Sequence, residues 1–300
     1  MKNKNKIISF LSHNNYAFFR NELLSKHTSI KIGGKTPIFV DVHTQKQLVF
    51  LINFLCDNDI KYHILGNGTN TIFADSGFDG VVISTKNLKK IKIKESSIFA
   101  ECGVGLFELG KTTKKTGLSG LEFAYGIPGS VGGAVVMNAG AFGKSIGDFV
   151  EYVKVFVDGK IKKISKKKMC FSYRSSLAQK KDMIVLGAKF NLEFSSPFEV
   201  EKKQQNFFEH RLITQPYSDL SFGSVFKRNN EHLPVSKLID ELGLKGYRIG
   251  GAEVSKKHAG FIVNIGSATC QDCILLIKYI QSKIFDAYGF VPEPEVKIVD

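Results

Sequence analysis

The spacing of apolar residues divides the chain into two parts near residue 197. Before it, short runs rich in Val, Ile and Phe predict strands. These runs are His63–Leu65, Val81–Ser84, Ser97–Ala100, Val150–Val157 and Met183–Phe194. Thr44–Cys56 instead has helical spacing behind a threonine cap, and Asp158-Gly159 marks a hairpin turn. A mixed α and β structure is therefore predicted for this part.

Beyond Ser195-Ser196-Pro197, the apolar residues recur mostly at helical spacing. The predicted helices are Glu199–Arg211, Pro234–Leu244 and Cys270–Tyr288. A closing strand is predicted over Pro292–Val299. This change of pattern places a domain boundary near residue 197, and 300 residues are enough for about two domains of roughly 150 residues each.

Composition narrows the class of protein. With 43% apolar and 23% charged residues, the chain resembles globular proteins that bury a core. No apolar run approaches the ~18–20 residues that a membrane-spanning helix needs. The basic start is followed only by Ile7–Leu11, which is too short for the hydrophobic region of a signal peptide. We therefore expect a cytoplasmic protein without a membrane segment.

The cysteines and histidines predict neither a metal site nor a disulfide framework. The five cysteines are odd in number and mostly isolated, unlike those of disulfide-rich secreted proteins. They are Cys56, Cys102, Cys170, Cys270 and Cys273. The last two form a C-x-x-C motif at the start of a predicted helix, with Ser267 or Thr269 as its cap. No second pair and no histidine cluster is near it in sequence, so packing is favoured over zinc or redox chemistry.

A formal net charge of +14 is compatible with a nucleic acid, an anionic membrane or small polyanionic ligands as partners. The lysines are spread along the chain, however, and the densest runs, 86–94 and 160–168, alternate with Ile on predicted strands. No aromatic residues that could stack on bases are interleaved with them. A solvated, lysine-rich surface is the favoured explanation, and we expect neither a nucleic acid nor a membrane as partner.

Glycine is concentrated over residues 103–143, which hold 11 of the 28 glycines. Because glycine is costly in conformational entropy, this density indicates backbone that turns tightly or approaches a ligand closely. One such loop is Gly126–Gly140; a second, Leu65–Thr71, follows a predicted strand and could cradle a phosphate with its N–H groups. The Rossmann pattern lacks its third glycine here, and Asn138 replaces a P-loop glycine. Each loop alone fits a structural turn equally well; together they favour a dinucleotide-type cofactor on a non-Rossmann fold.

A series of motifs in a fixed order extends from about Ser29 to Val299. They are Ile32-Gly33-Gly34, Gly66–Thr71, Gly117–Glu122, Gly126–Gly143, Phe171–Ser176, Gln215-Pro216, Ser221–Arg228, Gly243–Gly246, His258–Asn264 and Glu293–Val296. In content and order they resemble the UDP-N-acetylenolpyruvoylglucosamine reductase family. The short connection from Arg174 to Met183 resembles the branch of that family without an extra loop that closes over the substrate. Departures are small; Asn229-Asn230 stand where a proline is commoner.

The resemblance implies an α+β fold, with a two-lobed FAD-binding domain of the vanillyl-alcohol-oxidase type followed by a smaller α/β substrate-binding domain. On this basis we place the first lobe at residues 1–85, the second at 86–197 and the substrate-binding domain at 198–300. The resemblance also implies an NADPH-dependent flavoenzyme that reduces the enolpyruvyl ether of a UDP-sugar in peptidoglycan synthesis. No obligate protein partner is evident from the sequence. Another FAD oxidoreductase or oxidase of the same fold stays the alternative.

The two glycine loops would then hold FAD. The residues that the resemblance assigns to this cofactor are Gly66, Asn67, Gly68, Thr69, Asn70, Thr71, Gly126, Ile127, Pro128, Gly129, Ser130, Gly132, Gly133 and Ala134.

Three residues match the family's catalytic groups. The resemblance implies that Arg174, whose guanidinium is always charged, binds the substrate carboxylate. Ser224 would donate a proton, and Glu295 would orient the substrate or carry a proton. Spacing alone does not separate Glu295 from Glu293, because both would lie on one face of a strand. Weaker candidates for binding the substrate, each of which also fits a surface role, are Tyr173, Lys227, Arg228, Lys245 and His258.

Overall fold

The computed structural model describes residues 3–181, 183–229 and 234–300. Asn230, one of the two residues at the family's proline position, lies outside the described residues. The chain forms two compact units, each assembled from separate stretches of sequence. The first consists of Met1–Phe19, Ile38–Asn67 and Gly80–His210, and the second of Arg20–Pro37, Gly68–Asp79 and Arg211–Asp300.

The four helices predicted from the apolar spacing are present, together with six further α-helices of the described residues. In chain order, the α-helices of the described residues are α1 (Lys4–His13), α2 (Gln45–Asp57), α3 (Leu106–Thr116), α4 (Val131–Val136), α5 (Ile146–Phe149), α6 (Lys166–Met169), α7 (Leu177–Lys180), α8 (Pro197–Thr214), α9 (Val235–Glu241) and α10 (Cys270–Tyr288). Leu24–His27 and Glu122–Ala124 form 3₁₀ helices. The predicted helices correspond to α2, α8, α9 and α10, and α10 has the predicted bounds.

The strands are more numerous than predicted, and the predicted strand Met183–Phe194 is divided into two. They are β1 (Ala17–Leu23), β2 (Lys35–Asp41), β3 (Tyr62–Leu65), β4 (Thr71–Phe73), β5 (Val81–Ser84), β6 (Ile91–Lys94), β7 (Ser97–Glu101), β8 (Leu118–Ser119), β9 (Gly140–Ala141), β10 (Lys144–Ser145), β11 (Val150–Val157), β12 (Lys160–Ser165), β13 (Ile184–Asn191), β14 (Glu193–Phe194), β15 (Ser221–Ser224), β16 (Arg248–Ile249), β17 (Ala252–Val254), β18 (Phe261–Asn264) and β19 (Lys297–Val299).

The first unit contains a five-stranded antiparallel sheet of order β12-β11-β13-β7-β6. In the same unit, β5 pairs in parallel with β2 on one side and β3 on the other. Helix α2 begins where Thr44 Oγ1 accepts the N–H of Gln47 at 3.1 Å, which confirms the predicted cap. Its residues Leu48, Leu51 and Leu55 recur at helical spacing and are buried in the core of this unit.

The lysine-rich run 86–94 ends in β6, and the run 160–168 begins with β12; these are the two outer strands of this sheet. Most side chains of both strands are exposed. Charged side chains on an edge strand hinder its pairing with a strand of another molecule. Asp158 and Gly159 join β11 to β12 with φ of 50° and 69°, as a type I′ turn requires, so the predicted hairpin is confirmed.

The second unit contains a four-stranded antiparallel sheet of order β15-β18-β17-β16. Strand β19 pairs in parallel with β4. The closing strand predicted over Pro292–Val299 is wrong in extent, because only Lys297–Val299 forms a strand. Pro292 and Pro294 have no N–H to donate to a ladder, and Pro294 makes only an isolated bridge, to Phe226.

The C-x-x-C motif belongs to the core of the second unit. Helix α10 begins behind Thr269, whose Oγ1 accepts the N–H of Asp272 at 3.0 Å. Cys270 and Cys273 are buried free thiols, and burial raises their pKa to about 11 and about 12. A thiol that stays protonated is a poor nucleophile and a poor metal ligand, in agreement with the packing interpretation.

Within the described residues, no group of three or more His, Cys, Asp or Glu side chains is arranged to hold a metal ion. None of the helices among residues 3–181, 183–229 and 234–300 is long and apolar enough to cross a membrane.

Candidate active site

The structure brings parts of the two glycine loops into contact within the first unit. Asn67 Nδ2 donates a hydrogen bond to Pro128 O at 2.9 Å. A Cβ on Gly66 would lie 2.7 Å from Ser130 Oγ, so glycine allows this close approach. Two segments that the sequence predicts separately as cofactor-binding loops therefore form one backbone surface.

The second loop is fixed on its inner side by the residues that follow β7. Val131 N–H donates to Val104 O at 2.8 Å, and Gly132 N–H donates to Cys102 O at 2.8 Å. A Cβ on Gly132 would lie 2.9 Å from Cys102 Cβ. Gly132 is therefore a packing glycine, although the resemblance assigns it to the cofactor.

Gly133 is the next residue and is exposed. A Cβ there would meet only Ser130 Oγ, at 3.7 Å. Ser130 Oγ also accepts the N–H of Gly133 at 3.4 Å, whereas Ala134 is buried in the core. The bare backbone at Gly133 leaves space for a ligand on this surface, although the N–H groups of Val131, Gly132 and Gly133 already have acceptors within the protein.

The remainder of the first glycine loop, Gly68–Thr71, belongs to the second unit. Gly68 has φ of 67°, and a Cβ there would lie 2.1 Å from His27 O, so only glycine fits. Ser29 N–H donates to Gly68 O at 3.0 Å, and Ser29 Oγ donates to Ser221 O at 2.6 Å. Ser29 thus ties the loop to β15, a role that the sequence does not signal because its partners are distant along the chain.

Ser224 lies at a β-bulge that ends strand β15. The register against β18 shifts between Ser221 and Ser224, so β15 has one residue more than its partner. Gly223 supplies the positive φ of 84° at this point. As a result, Ser224 is exposed between the buried side chains of Phe222 and Val225. A bulge can redirect one side chain out of a packed strand, and here that side chain is the predicted proton donor.

The backbone of Glu295 runs beside the bulged strand. Glu295 N–H donates to Val225 O at 2.7 Å, and Asn70 Nδ2 donates to Glu295 O at 3.1 Å. Lys297 N–H donates to Asn70 O at 3.0 Å on the other side. Glu295, which is half-buried, is therefore held between β15 and the cofactor loop.

Thr69 completes this group, since its carbonyl oxygen would lie 4.0 Å from a Cβ on Gly223. The structure thus brings together the backbones that carry Ser224, Glu295 and Asn70, all in the second unit.

Arg174 lies at the tip of a two-residue hairpin in the first unit. Ser172 and Ser175 exchange backbone hydrogen bonds of 3.0 and 3.1 Å, which places Tyr173 and Arg174 in the turn. Arg174 has φ of 50°, and its Nη1 donates to Gly140 O at 3.1 Å. Left-handed backbone at a residue other than glycine is costly and is common at functional sites. The Arg174 guanidinium also lies 5.3 Å from the ring of Tyr173, which is half exposed.

The two glutamates near the C-terminus have different surroundings. Residues 292–296 form no strand, so the expectation that Glu293 and Glu295 share one face of a strand is wrong. Glu293 is exposed and pairs with Lys227, with Oε1 2.5 Å from Nζ. Lys245 makes a similar pair with Asp240 at 2.7 Å. Both lysines predicted to bind the substrate therefore already have a carboxylate partner.

His258 and Arg228 are the other predicted contacts in the second unit. Nδ1 of His258 accepts the N–H of Gly260 at 3.1 Å. Burial lowers the pKa of His258 below its ordinary value, and the nearby positive charge of Lys245 adds to this effect. This hydrogen bond favours a neutral imidazole with its proton on Nε2. Arg228 is exposed.

Known proteins match the chain along nearly its whole length. A family model described as UDP-N-acetylenolpyruvoylglucosamine reductase, C-terminal domain, matches residues 215–299. A second model, described as FAD binding domain, matches residues 36–165. These matches confirm the predicted α+β fold with an FAD-binding domain.

Several relatives carry the name UDP-N-acetylenolpyruvoylglucosamine reductase. One from Thermotoga sp. (strain RQ2) is 43% identical over 280 residues, which are 92% of each chain. One from Thermotoga petrophila is 44% identical over 277 residues, 92% of this chain and 97% of the relative. The crystal structure of UDP-N-acetylenolpyruvylglucosamine reductase from Thermus caldophilus has a TM-score of 0.81 and 30% identity, covering 95% of this chain and 99% of that one.

Proposed function

Because the chain belongs to the UDP-N-acetylenolpyruvoylglucosamine reductase family, we propose that it reduces UDP-N-acetylglucosamine enolpyruvate to UDP-N-acetylmuramate with FAD and NADPH. The reaction serves peptidoglycan synthesis, and we place it in the cytoplasm. The observation that best supports this function is the bulge at Gly223, which exposes Ser224 beside Glu295 and the cofactor loop.

Reduction of the substrate adds one hydride and one proton across a carbon–carbon double bond. Bound FAD, once reduced by NADPH, supplies the hydride to the methylene carbon of the enolpyruvyl group. Negative charge then develops on the α-carbon and the adjacent carboxylate. This chain's residues must stabilise that charge and deliver the proton to the α-carbon.

Arg174 is suited to the carboxylate, because a guanidinium stays charged and binds two oxygens at once. The hydrogen bond from Nη1 to Gly140 O fixes the guanidinium before substrate arrives. A charge that is already in place where negative charge develops lowers the barrier without further rearrangement. We assign Arg174 to binding and charge stabilisation.

Ser224 is suited to proton delivery at the α-carbon. A hydroxyl is a weak acid, so it serves as a donor only to a strongly basic carbon at fixed geometry. The bulge provides that geometry, since Ser224 is exposed while its strand stays packed. We assign Glu295, whose backbone hydrogen-bonds to the same strand, to orienting the substrate or replenishing the proton.

Cofactor binding is assigned to the two glycine loops. Gly133 is exposed beside the segment where Asn67 donates to Pro128 O, and the buried Ser130 supports this surface from below. We propose two FAD-binding lobes, at residues 1–85 and 86–197. The substrate-binding domain would follow at residues 198–300.

Anaerobic titration of the purified protein, supplemented with FAD, tests the function. We expect NADPH to bleach the flavin absorbance and the enolpyruvate substrate to restore it mole for mole. UDP-N-acetylglucosamine, which lacks the double bond, is the matched control and should restore nothing.

Three results would contradict the proposal. The first is a protein that binds no FAD. The second is bleaching by an alcohol but not by NADPH, which would indicate an oxidase of the same fold. The third is a protein whose main affinity is for DNA or RNA and falls steeply with salt.

A further inference from the structure

A buried amide side chain joins the two hairpins beside Arg174. Asn138 is only 6% exposed and has φ of 44°. Its Oδ1 accepts the N–H of Gly147 at 2.8 Å, and its Nδ2 donates to Ser172 O at 2.8 Å. These partners fix the orientation of the amide, because an N–H needs an oxygen and a carbonyl needs a donor.

Both partners of Asn138 lie at the base of a hairpin. Gly147 follows the hairpin of β9 and β10, and Ser172 begins the hairpin that carries Arg174 at its tip. Gly140, in β9, is the residue whose carbonyl receives Nη1 of Arg174. Asn138 therefore sets the spacing between the hairpin that carries the guanidinium and the hairpin that receives it.

Few residue types can replace Asn138. The left-handed backbone favours Gly, Asn or Asp. Of these three, only asparagine has both the acceptor for Gly147 and the donor for Ser172. A second tether supports the same hairpin, since the buried Ser176 donates from Oγ to Val136 O at 2.8 Å.

We propose that Asn138 is a positioning residue, which holds Arg174 in place for the carboxylate of the substrate. The inference rests on the proposed function, because it needs Arg174 to bind that carboxylate. Asn138 itself touches neither substrate nor cofactor in this assignment. Its effect should therefore appear only with ligands that carry the carboxylate.

Isothermal titration calorimetry of two ligands tests this role. Asn138→Gly keeps the backbone conformation and removes both hydrogen bonds. We expect it to weaken binding of the enolpyruvate substrate to the oxidised FAD-loaded protein by about tenfold. Binding of UDP-N-acetylglucosamine, which lacks the carboxylate, should change by less than about twofold. A loss that is equal for both ligands would overturn the proposal.

Matched variants separate positioning from general damage. Asn15→Gly is the control, because Asn15 also has a left-handed φ, 54°, but is exposed in the turn after α1. It should bind both ligands as the parent protein does. If Asn138→Gly does not fold, Asn138→Asp keeps the shape and the acceptor for Gly147 and replaces the donor to Ser172 by a carboxylate oxygen, which also adds a negative charge. Asn138→Asp should then show the same preference for the ligand without carboxylate.

A double-mutant cycle with Arg174→Ala distinguishes failure of the inference from failure of the proposed function. In the Arg174→Ala background, Asn138→Gly should have no further effect on the enolpyruvate substrate. If Arg174→Ala alone leaves that affinity unchanged, the assignment of Arg174 to the carboxylate is wrong. If Arg174→Ala weakens binding but a folded Asn138→Gly protein does not, Asn138 has no positioning role.

Discussion

Arg174 in the first unit and Ser224 in the second unit are positioned in different ways. Arg174 lies on a hairpin whose base is held by the side chain of Asn138. Ser224 lies at the end of strand β15. The segment that carries Glu295 is held beside it by a main-chain hydrogen bond from Glu295 N–H to Val225 O. The first arrangement depends on which side chains are present, and the second depends mainly on the path of the backbone.

This difference determines which substitutions should disturb each group. A main-chain hydrogen bond survives replacement of the side chain on either partner. A hydrogen bond made by a side-chain amide is lost when that side chain is replaced. Around Ser224, we therefore expect most side-chain replacements to be tolerated and backbone changes at Gly223 to matter. Ser29 and Asn70 are exceptions in the second unit, because the Ser29 hydroxyl donates to Ser221 O and the Asn70 amide donates to Glu295 O.

The largest effect is expected from Ser224→Ala. The flavin should still be bleached by NADPH at the parent rate. Its reoxidation by the enolpyruvate substrate should slow by about 10²–10⁴-fold, which is the usual contribution of a positioned acid. Stopped-flow absorbance measures both half-reactions separately.

Ser221→Ala is the matched control, since Ser221 is on the same strand and contributes only its carbonyl to the tie with Ser29. It should slow neither half-reaction. Equal slowing of both half-reactions by Ser224→Ala would mean that Ser224 is not the proton donor.

The next largest effect is expected from Glu295→Gln. The main-chain bond to Val225 stays, so the strand should keep its place while the carboxylate is lost. We expect turnover of the enolpyruvate substrate to fall by about 10²-fold, as for a group that orients a reactant. Glu293→Gln should change turnover by less than about threefold, because exposed ion pairs such as that with Lys227 contribute little. A larger loss from Glu293→Gln than from Glu295→Gln would mean that the two assignments are interchanged.

The regular elements could be predicted because their signals are local. Apolar spacing and a threonine cap predict α2, and β-branched residues predict β5 and β11 with their observed bounds. The C-terminal segment is different. Pro292 and Pro294 belong to the predicted strand Pro292–Val299, but proline cannot donate to a ladder.

The site could be predicted only in part. Family motifs identified Arg174, Ser224 and Glu295, but no local pattern shows what holds them. The partner of Ser29 is 192 residues away, and the partner of Asn70 is 225 residues away. Such contacts depend on the folded chain. Asn138 did carry one local signal, since asparagine tolerates left-handed backbone and stands in a run of glycines.

Two adjacent glycines of α4, Gly132 and Gly133, should respond differently to substitution. Gly132→Ala should destabilise the protein by about 1–3 kcal/mol, because its Cβ would crowd Cys102. Gly133→Ala should leave the free energy of unfolding unchanged or raise it by about 0.5–1 kcal/mol, because it is exposed in a helix. If Gly133 faces the diphosphate, its substitution should nonetheless weaken FAD binding by about tenfold.

Urea unfolding and fluorescence titration with FAD measure these two quantities. We expect Gly132→Ala to lower the stability of the protein and Gly133→Ala to lower its affinity for FAD. An unchanged FAD affinity in Gly133→Ala would exclude this backbone from the cofactor surface.

The smallest effect that we predict is a pH dependence of the free energy of unfolding, caused by His258 near the backbone beside Ser224. Nδ1 of His258 accepts the N–H of Gly260, and Gly260 O accepts the N–H of Val225 at 2.9 Å. Burial lowers the pKa of His258 in the folded protein, with Lys245 adding to the shift and Asp240 opposing it. As pH falls through the unfolded value of about 6.5, the unfolded chain therefore takes up this proton before the folded protein does.

The free energy of unfolding should consequently fall as pH decreases from neutral to values below the folded pKa of His258. The free energy of unfolding of His258→Asn should fall less over the same range. At pH 8 both proteins carry no charge at this position, so their difference there gives the cost of the substitution alone. The change in this difference between pH 8 and pH 5 then gives the contribution of His258 protonation to the free energy of unfolding. We expect this contribution to be smaller than the loss from Gly132→Ala. Urea unfolding at both pH values measures it, and a steeper acid loss in His258→Asn than in the parent protein would contradict the burial of a neutral imidazole. If the parent protein instead loses more stability than His258→Asn, the backbone beside Ser224 depends on the His258 side chain through Gly260, in addition to the side chains of Ser29 and Asn70.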